Sequence, residues 1–105
     1  MPSLKVTILV PKFYNDGTQV EINKHRKTAQ ELTKKFNGCT QENSPLIGKW
    51  KDESGKEFND INFVFWVVCK NSSQNRLFLK KYKKKLKKRY DQKEIMMYSV
   101  SIDPI

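Results

Sequence analysis

Strand-like and helix-like segments alternate in this 105-residue chain in the order β-α-β-β-α-β. That order predicts an α+β fold, a ferredoxin-like βαββαβ sandwich with two helices on one face of a four-stranded antiparallel sheet. Three observations carry the expectation: strand-like apolar runs near both ends, two amphipathic stretches, and a tight central hairpin turn. The length suits a single ferredoxin-like domain, residues 1–105, with one core.

LKVTILV at 4–10 alternates and is rich in β-branched residues, with Leu4, Val6, Ile8 and Val10 on one face. Pro11 and the pair Asp16-Gly17 then turn the chain. Thr18 and Glu21 stand at capping-box spacing, so a helix is expected from about residue 20 to 36. Its apolar stripe is Ile22, His25, Ala29, Leu32 and Phe36, and Asn37-Gly38 stops it.

CTQENSPLIGKW at 39–50 reads as a weaker strand, because Pro45 removes a ladder donor and suits an edge or a bulge. Ser54-Gly55 makes the hairpin turn, Gly48 is expected to allow close backbone approach, and Trp50 to anchor the hairpin by packing on the sheet. FNDINFVFWVVCK at 58–70 follows, with Ile61, Phe63, Phe65 and Val67 on one face and Val64, Trp66 and Val68 on the other. Asn71-Ser72-Ser73 opens a second helix whose buried stripe is Leu79, Tyr82, Leu86 and Tyr90. EIMMYSVSI at 94–102 supplies the last strand.

Helices cover only one sheet face, yet the third and fourth strands are apolar on both. A solvated antiparallel face should be polar. An exposed apolar patch on that scale predicts a homodimer, with a ligand pocket on the uncovered face as the competing explanation.

The formal net charge is +10, and it is unevenly placed. Residues 80–89, KKYKKKLKKR, hold eight cations and no acid, which leaves +2 for the other 95 residues. Like charges at i,i+4, such as Lys81 with Lys85 and Lys84 with Lys88, repel along a helix. Tolerated repulsion of this kind points to an anionic partner, a nucleic acid or an acidic protein. The residues expected to make the contact are Lys80, Lys81, Lys84, Lys85, Lys87, Lys88 and Arg89. Tyr82 and Tyr90 lie on the buried stripe and are poorly placed to stack on bases.

Signals for catalysis are sparse. His25 is the one imidazole, beside Lys24, Arg26 and Lys27, whose charges would depress its pKa; it is expected at the boundary between core and solvent. Cys39 and Cys69 lack metal-ligand spacing, and with one histidine no zinc site is expected. Asp16 within Asn-Asp-Gly suits a turn better than a metal-dependent nuclease. No phosphate loop or nucleophile elbow occurs, and no cofactor is implied. No run reaches the roughly 18 apolar residues of a membrane span, and the apolar part of MPSLKVTILVPK is too short for a secretory signal, so a cytoplasmic protein with no membrane contact is expected.

Gly38-Cys-Thr40, Gly48-Lys-Trp50, Gly55 and the run KKRYDQKEI at 87–95 resemble a domain-of-unknown-function family of small bacterial proteins with a G-x-W hairpin. The resemblance covers residues 38–98 and implies a ferredoxin-like frame; Leu86 stands where that pattern has an aromatic. It implies no activity. The sequence therefore predicts a non-enzymatic binding protein for nucleic acid or another polyanion. The alternative is a small-molecule enzyme or sensor with a pocket on the uncovered sheet face near His25, Trp50 and Trp66. A metal-dependent nuclease using Asp16 ranks below both.

Overall fold

The computed structural model describes residues 2–105, with the side chains of 43–47, 50 and 58–60 outside the described residues. The elements are β1 (Ser3–Pro11), α1 (Ile22–Phe36), β2 (Thr40–Lys51), β3 (Glu57–Lys70), α2 (Ser73–Arg89) and β4 (Met97–Ile102). They form one antiparallel sheet in the order β2-β3-β1-β4, the ferredoxin-like arrangement that the sequence predicts.

The register of β1 on β3 pairs Leu4 with Cys69, Val6 with Val67, Ile8 with Phe65 and Val10 with Phe63. Alternation therefore puts all eight on one face, where they meet Leu32 of α1 and Leu79, Tyr82 and Leu86 of α2 in the core. Burying each large apolar side chain stabilises the fold by about 1.5–3 kcal/mol. The core-facing stripe of α2 is the expected one. Ser72 caps that helix, its hydroxyl accepting from the Asn75 amide at 3.1 Å.

At α1 the structure corrects the expected cap. Glu21 is the N-cap residue but makes no side-chain cap bond. Its carboxylate instead accepts from the Tyr14 hydroxyl and pairs with Lys24 at 3.5 Å. Thr18 is spent on Asp16, whose carboxylate accepts from the Thr18 amide at 2.9 Å and hydroxyl at 2.6 Å. The stripe also differs: Ile22 is exposed, and Thr28 is buried beside His25 and Leu32. A threonine can be buried there because its hydroxyl donates to the Lys24 carbonyl at 2.9 Å. Asn37 ends α1 in the left-handed region, φ +61°, as expected of a C-cap.

The β2–β3 register shifts between Glu42 and Leu46, around Pro45. At the turn Gly55 takes φ +85°, and the Asp52 carboxylate accepts from Ser54 and Lys56 amides at 2.9 and 3.0 Å. Close approach does not explain Gly48, since a Cβ there meets no atom within 4 Å. Trp50 pairs with Phe58 in the ladder, but the anchoring role expected of its side chain lies outside the described residues.

The face away from the helices is set by the same register. It carries Lys5, Thr7 and Leu9 of β1, Val64, Trp66 and Val68 of β3, and Tyr98 and Val100 of β4. Val68, Tyr98 and Val100 are 41%, 50% and 47% exposed. Among the described residues of the strands, only Lys5, Glu42 and Lys70 bring charge to this face.

Candidate functional site

The cations of α2 divide into two sets. Lys85 Nζ lies 2.7 Å and Arg89 Nη2 2.6 Å from the Glu31 carboxylate of α1. Lys83 and Lys87 reach Glu94 at 2.8 and 3.6 Å, and hydrogen bonding from Lys83 is the largest cause that brings the Glu94 carboxyl down to about 2. Lys80, Lys81, Lys84 and Lys88 are exposed and have no ion pair among the described residues. Lys80, Lys84 and Lys88 follow one i,i+4 row, about 6 Å per step.

The expected contact set thus divides between paired and unpaired cations. Lys85, Lys87 and Arg89 are engaged within the chain, and the Arg89 side chain is only 7% exposed. The physical reason is Glu94 for Lys87 and, for Lys85 and Arg89, Glu31, the single acid in α1, which lies across from a helix with none. Burial works to raise the pKa of Glu31, but hydrogen bonds from Lys85, Arg89 and Tyr82 outweigh it and hold it lowered. That lone acid facing a cationic run was the signal available in the sequence for this pairing.

Behind Glu31 runs a buried polar chain. Arg89 Nη1 donates to the Thr28 hydroxyl at 2.9 Å, and Thr28 lies 2.9 Å from the Tyr90 hydroxyl. Since the one Thr28 proton goes to the Lys24 carbonyl, Tyr90 is the donor to Thr28. Tyr90 can then accept from His25 Nδ1 at 3.2 Å, which leaves His25 Nε2 as a bare lone pair, and that atom is buried without a partner. His25 is 6% exposed and meets Phe63 edge-on at 4.9 Å. It belongs to the core and not to its boundary, and desolvation, not the neighbouring cations, lowers its pKa.

A groove of about 650 Å³ opens between the two helices, lined by Glu31, Lys34 and Lys35 of α1 and Phe78, Lys81, Tyr82 and Lys85 of α2. Phe78 stacks on Tyr82 at 5.5 Å and 14°, Phe36 meets it edge-on at 5.5 Å, and Lys35 Nζ sits 4.9 Å over its ring. The sequence reading missed Lys34, Lys35 and Phe78, because their meeting depends on how α1 lies against α2. A smaller cleft of about 250 Å³ lies between α2 and β4, beside Arg76, Leu79, Met97 and Tyr98.

The expected pocket residues do not come together. His25 is on the helix side of the sheet against Phe63, while Trp66 is on the opposite face under Lys5 Nζ at 4.6 Å. The Trp50 side chain is outside the described residues. Asp16 serves its turn, with hydrogen bonds from Thr18 holding its carboxyl below the usual range. Among the described residues no group of three His, Cys, Asp or Glu could hold a metal. Burial pushes both the Cys39 and Cys69 thiols up, which disfavours the nucleophilic thiolate.

No family model matches the chain, and no curated protein does. Among solved structures it is similar to a phage SAM lyase in complex with S-methyl-5'-thioadenosine. The TM-score is 0.67 at 13% identity, covering 95% of this chain and 90% of that one. At that identity the likeness is one of fold. Among the described residues, no helix is long and apolar enough to cross a membrane.

Proposed function

We propose that this chain is a non-enzymatic binding protein for nucleic acid, acting through phosphate contacts from Lys80, Lys81, Lys84 and Lys88. One observation carries the reading: half of the cations in the 80–89 run are matched to Glu31 and Glu94, and these four are not. A helix that keeps an unmatched, self-repelling row forgoes stability that interspersed glutamates would supply. An anionic partner offsets that repulsion on binding. Contacts of this kind read charge and not sequence, so affinity should fall steeply with salt and vary little among sequences. Titrating unrelated duplexes and single strands at several salt concentrations tests this. Weak binding with no salt dependence would contradict it.

The uncovered face supports a second copy of the chain as a partner. It is apolar and bears few charges in a chain of net charge +10, so it is the surface by which two copies can approach with their basic helices pointing apart. The working form is then a cytoplasmic homodimer with a cationic helix on each outer side.

A second functional reading rests on the shared fold. The similar structure is a lyase holding S-methyl-5'-thioadenosine, and this chain covers nearly all of it. Under that reading the chain takes a small adenosine-bearing ligand, and the α1–α2 groove has the size for one. Calorimetry with S-methyl-5'-thioadenosine, and product analysis after incubation with S-adenosylmethionine, separate it from the first: neither heat nor turnover is expected of a polyanion-binding protein.

A further inference from the structure

We propose that the groove between α1 and α2 receives one base of a single-stranded nucleic acid, stacked on Phe78, with the flanking phosphates on Lys34 and Lys81. The inference rests on the nucleic-acid reading above and narrows it from any nucleic acid to a single strand.

The charge in the groove favours an anion despite the acid at its base. Glu31 is already met by Lys85 at 2.7 Å and Arg89 at 2.6 Å. Lys34, Lys35 and Lys81 line the same groove with no ion pair among the described residues. The floor is aromatic, and the half-buried Phe78 ring is held from below and from the side by Tyr82 and Phe36. A ring fixed by two neighbours is a stacking platform that loses little freedom when a base lands on it. Lys35 Nζ lies over that ring at 4.9 Å, so a base that lands there has to displace this one flexible side chain. A base takes the place of the ammonium, and the flexible Lys35 side chain then turns to a phosphate.

The aromatic floor decides between a base and an acidic helix: a base stacks on the Phe78 ring, and carboxylates gain nothing from it. The groove has a volume of about 650 Å³. A nucleotide fits within it, since sites for single small ligands run to about 300–1,000 Å³. Duplex bases are stacked and paired, so they reach such a platform only by flipping out, at a cost of a few kcal/mol. Single strands carry no such cost. The aromatic residue for stacking is therefore Phe78, which neither Tyr82 nor Tyr90 can replace from their buried positions.

The test compares three labelled probes of equal charge and salt conditions: a single strand, the same strand without bases, and a duplex. Each is titrated against the wild type, Phe78→Leu and Lys34→Gln/Lys81→Gln, with thermal unfolding used to confirm that every variant is folded. Wild type is expected to favour the base-bearing strand over the abasic one by about 5- to 100-fold, the range of one stacked base. Phe78→Leu should lose that preference and keep its duplex and abasic affinities. The lysine pair should weaken both single-stranded probes and reduce their salt slopes. Binding in which bases and Phe78 make no difference would overturn the inference while leaving the nucleic-acid reading intact. Absence of binding to all three probes would overturn both. Tighter, Phe78-dependent binding of polyglutamate would overturn the inference in favour of an acidic protein.

Discussion

Arg89 Nη2 lies 2.6 Å from a carboxylate oxygen of Glu31, and this contact ties the end of α2 to the middle of α1. The arginine also donates to Thr28, and its backbone carbonyl accepts from Lys24 Nζ at 2.9 Å. Helix-to-helix fixation thus uses the last cation of a run whose charge suggests binding alone. Arg89→Met should cost on the order of 2 kcal/mol in urea unfolding, because it removes charged hydrogen bonds from a nearly buried group. Its affinity for nucleic acid and the salt slope should match wild type, since Arg89 is turned inward.

His25 gives a pH dependence with a defined sign. Its native pKa is lowered by burial from 6.5, so the unfolded chain binds a proton more readily than the folded one. Stability from the neutral ring is complete above pH 6.5 and falls as the pH drops below that value toward the lowered native pKa. The slope approaches about 1.4 kcal/mol per pH unit for one proton. Glu31 and the other carboxylates with lowered pKa values add their losses below their own unfolded values, 4.5 for Glu31. Between those limits the slope belongs to His25, and His25→Gln should flatten it in unfolding curves taken from pH 7 to pH 5.

The cap of α2 gives a local test of stability. Ser72→Ala leaves the Asn75 amide without its side-chain acceptor. It should lower stability by about 1 kcal/mol, read by chemical denaturation.

The open sheet face predicts self-association. Val68 and Val100 both project from it, 41% and 47% exposed, on the side away from the helix-side core. Val68→Glu with Val100→Glu should convert a dimer to a folded monomer in sedimentation equilibrium. A wild type that sediments as a monomer would remove this interface.

Much of the fold was legible because local pattern and global fold agree. Alternation in β1, the continuous apolar run of β3, the 79–82–86–90 stripe and Ser54-Gly55 each mark an element without reference to the others. The α1 start was not, because Glu21 and Thr18 have competing local partners in Tyr14, Lys24 and Asp16. The candidate site was legible only as a charge run. Which lysines are free depends on Glu31 and Glu94, separated from α2 by tertiary packing and by a turn. The groove was illegible for the same reason: Lys34, Lys35 and Phe78 meet only once both helices lie on the sheet. Likewise, His25 and Trp66 could be grouped only until the register put them on opposite faces.

The most direct measurement is the salt dependence of nucleic-acid binding by the wild type and by a variant with Lys80, Lys81, Lys84 and Lys88 all changed to Gln. These four lie off the buried stripe, and Gln has nearly the helix propensity of Lys, so the variant should be as stable as wild type or slightly more. Affinity is predicted to fall about equally for unrelated sequences, and the slope of log affinity against log salt to shrink by about one for each phosphate that is no longer neutralised. Equal affinities with equal slopes for the two proteins would contradict the account.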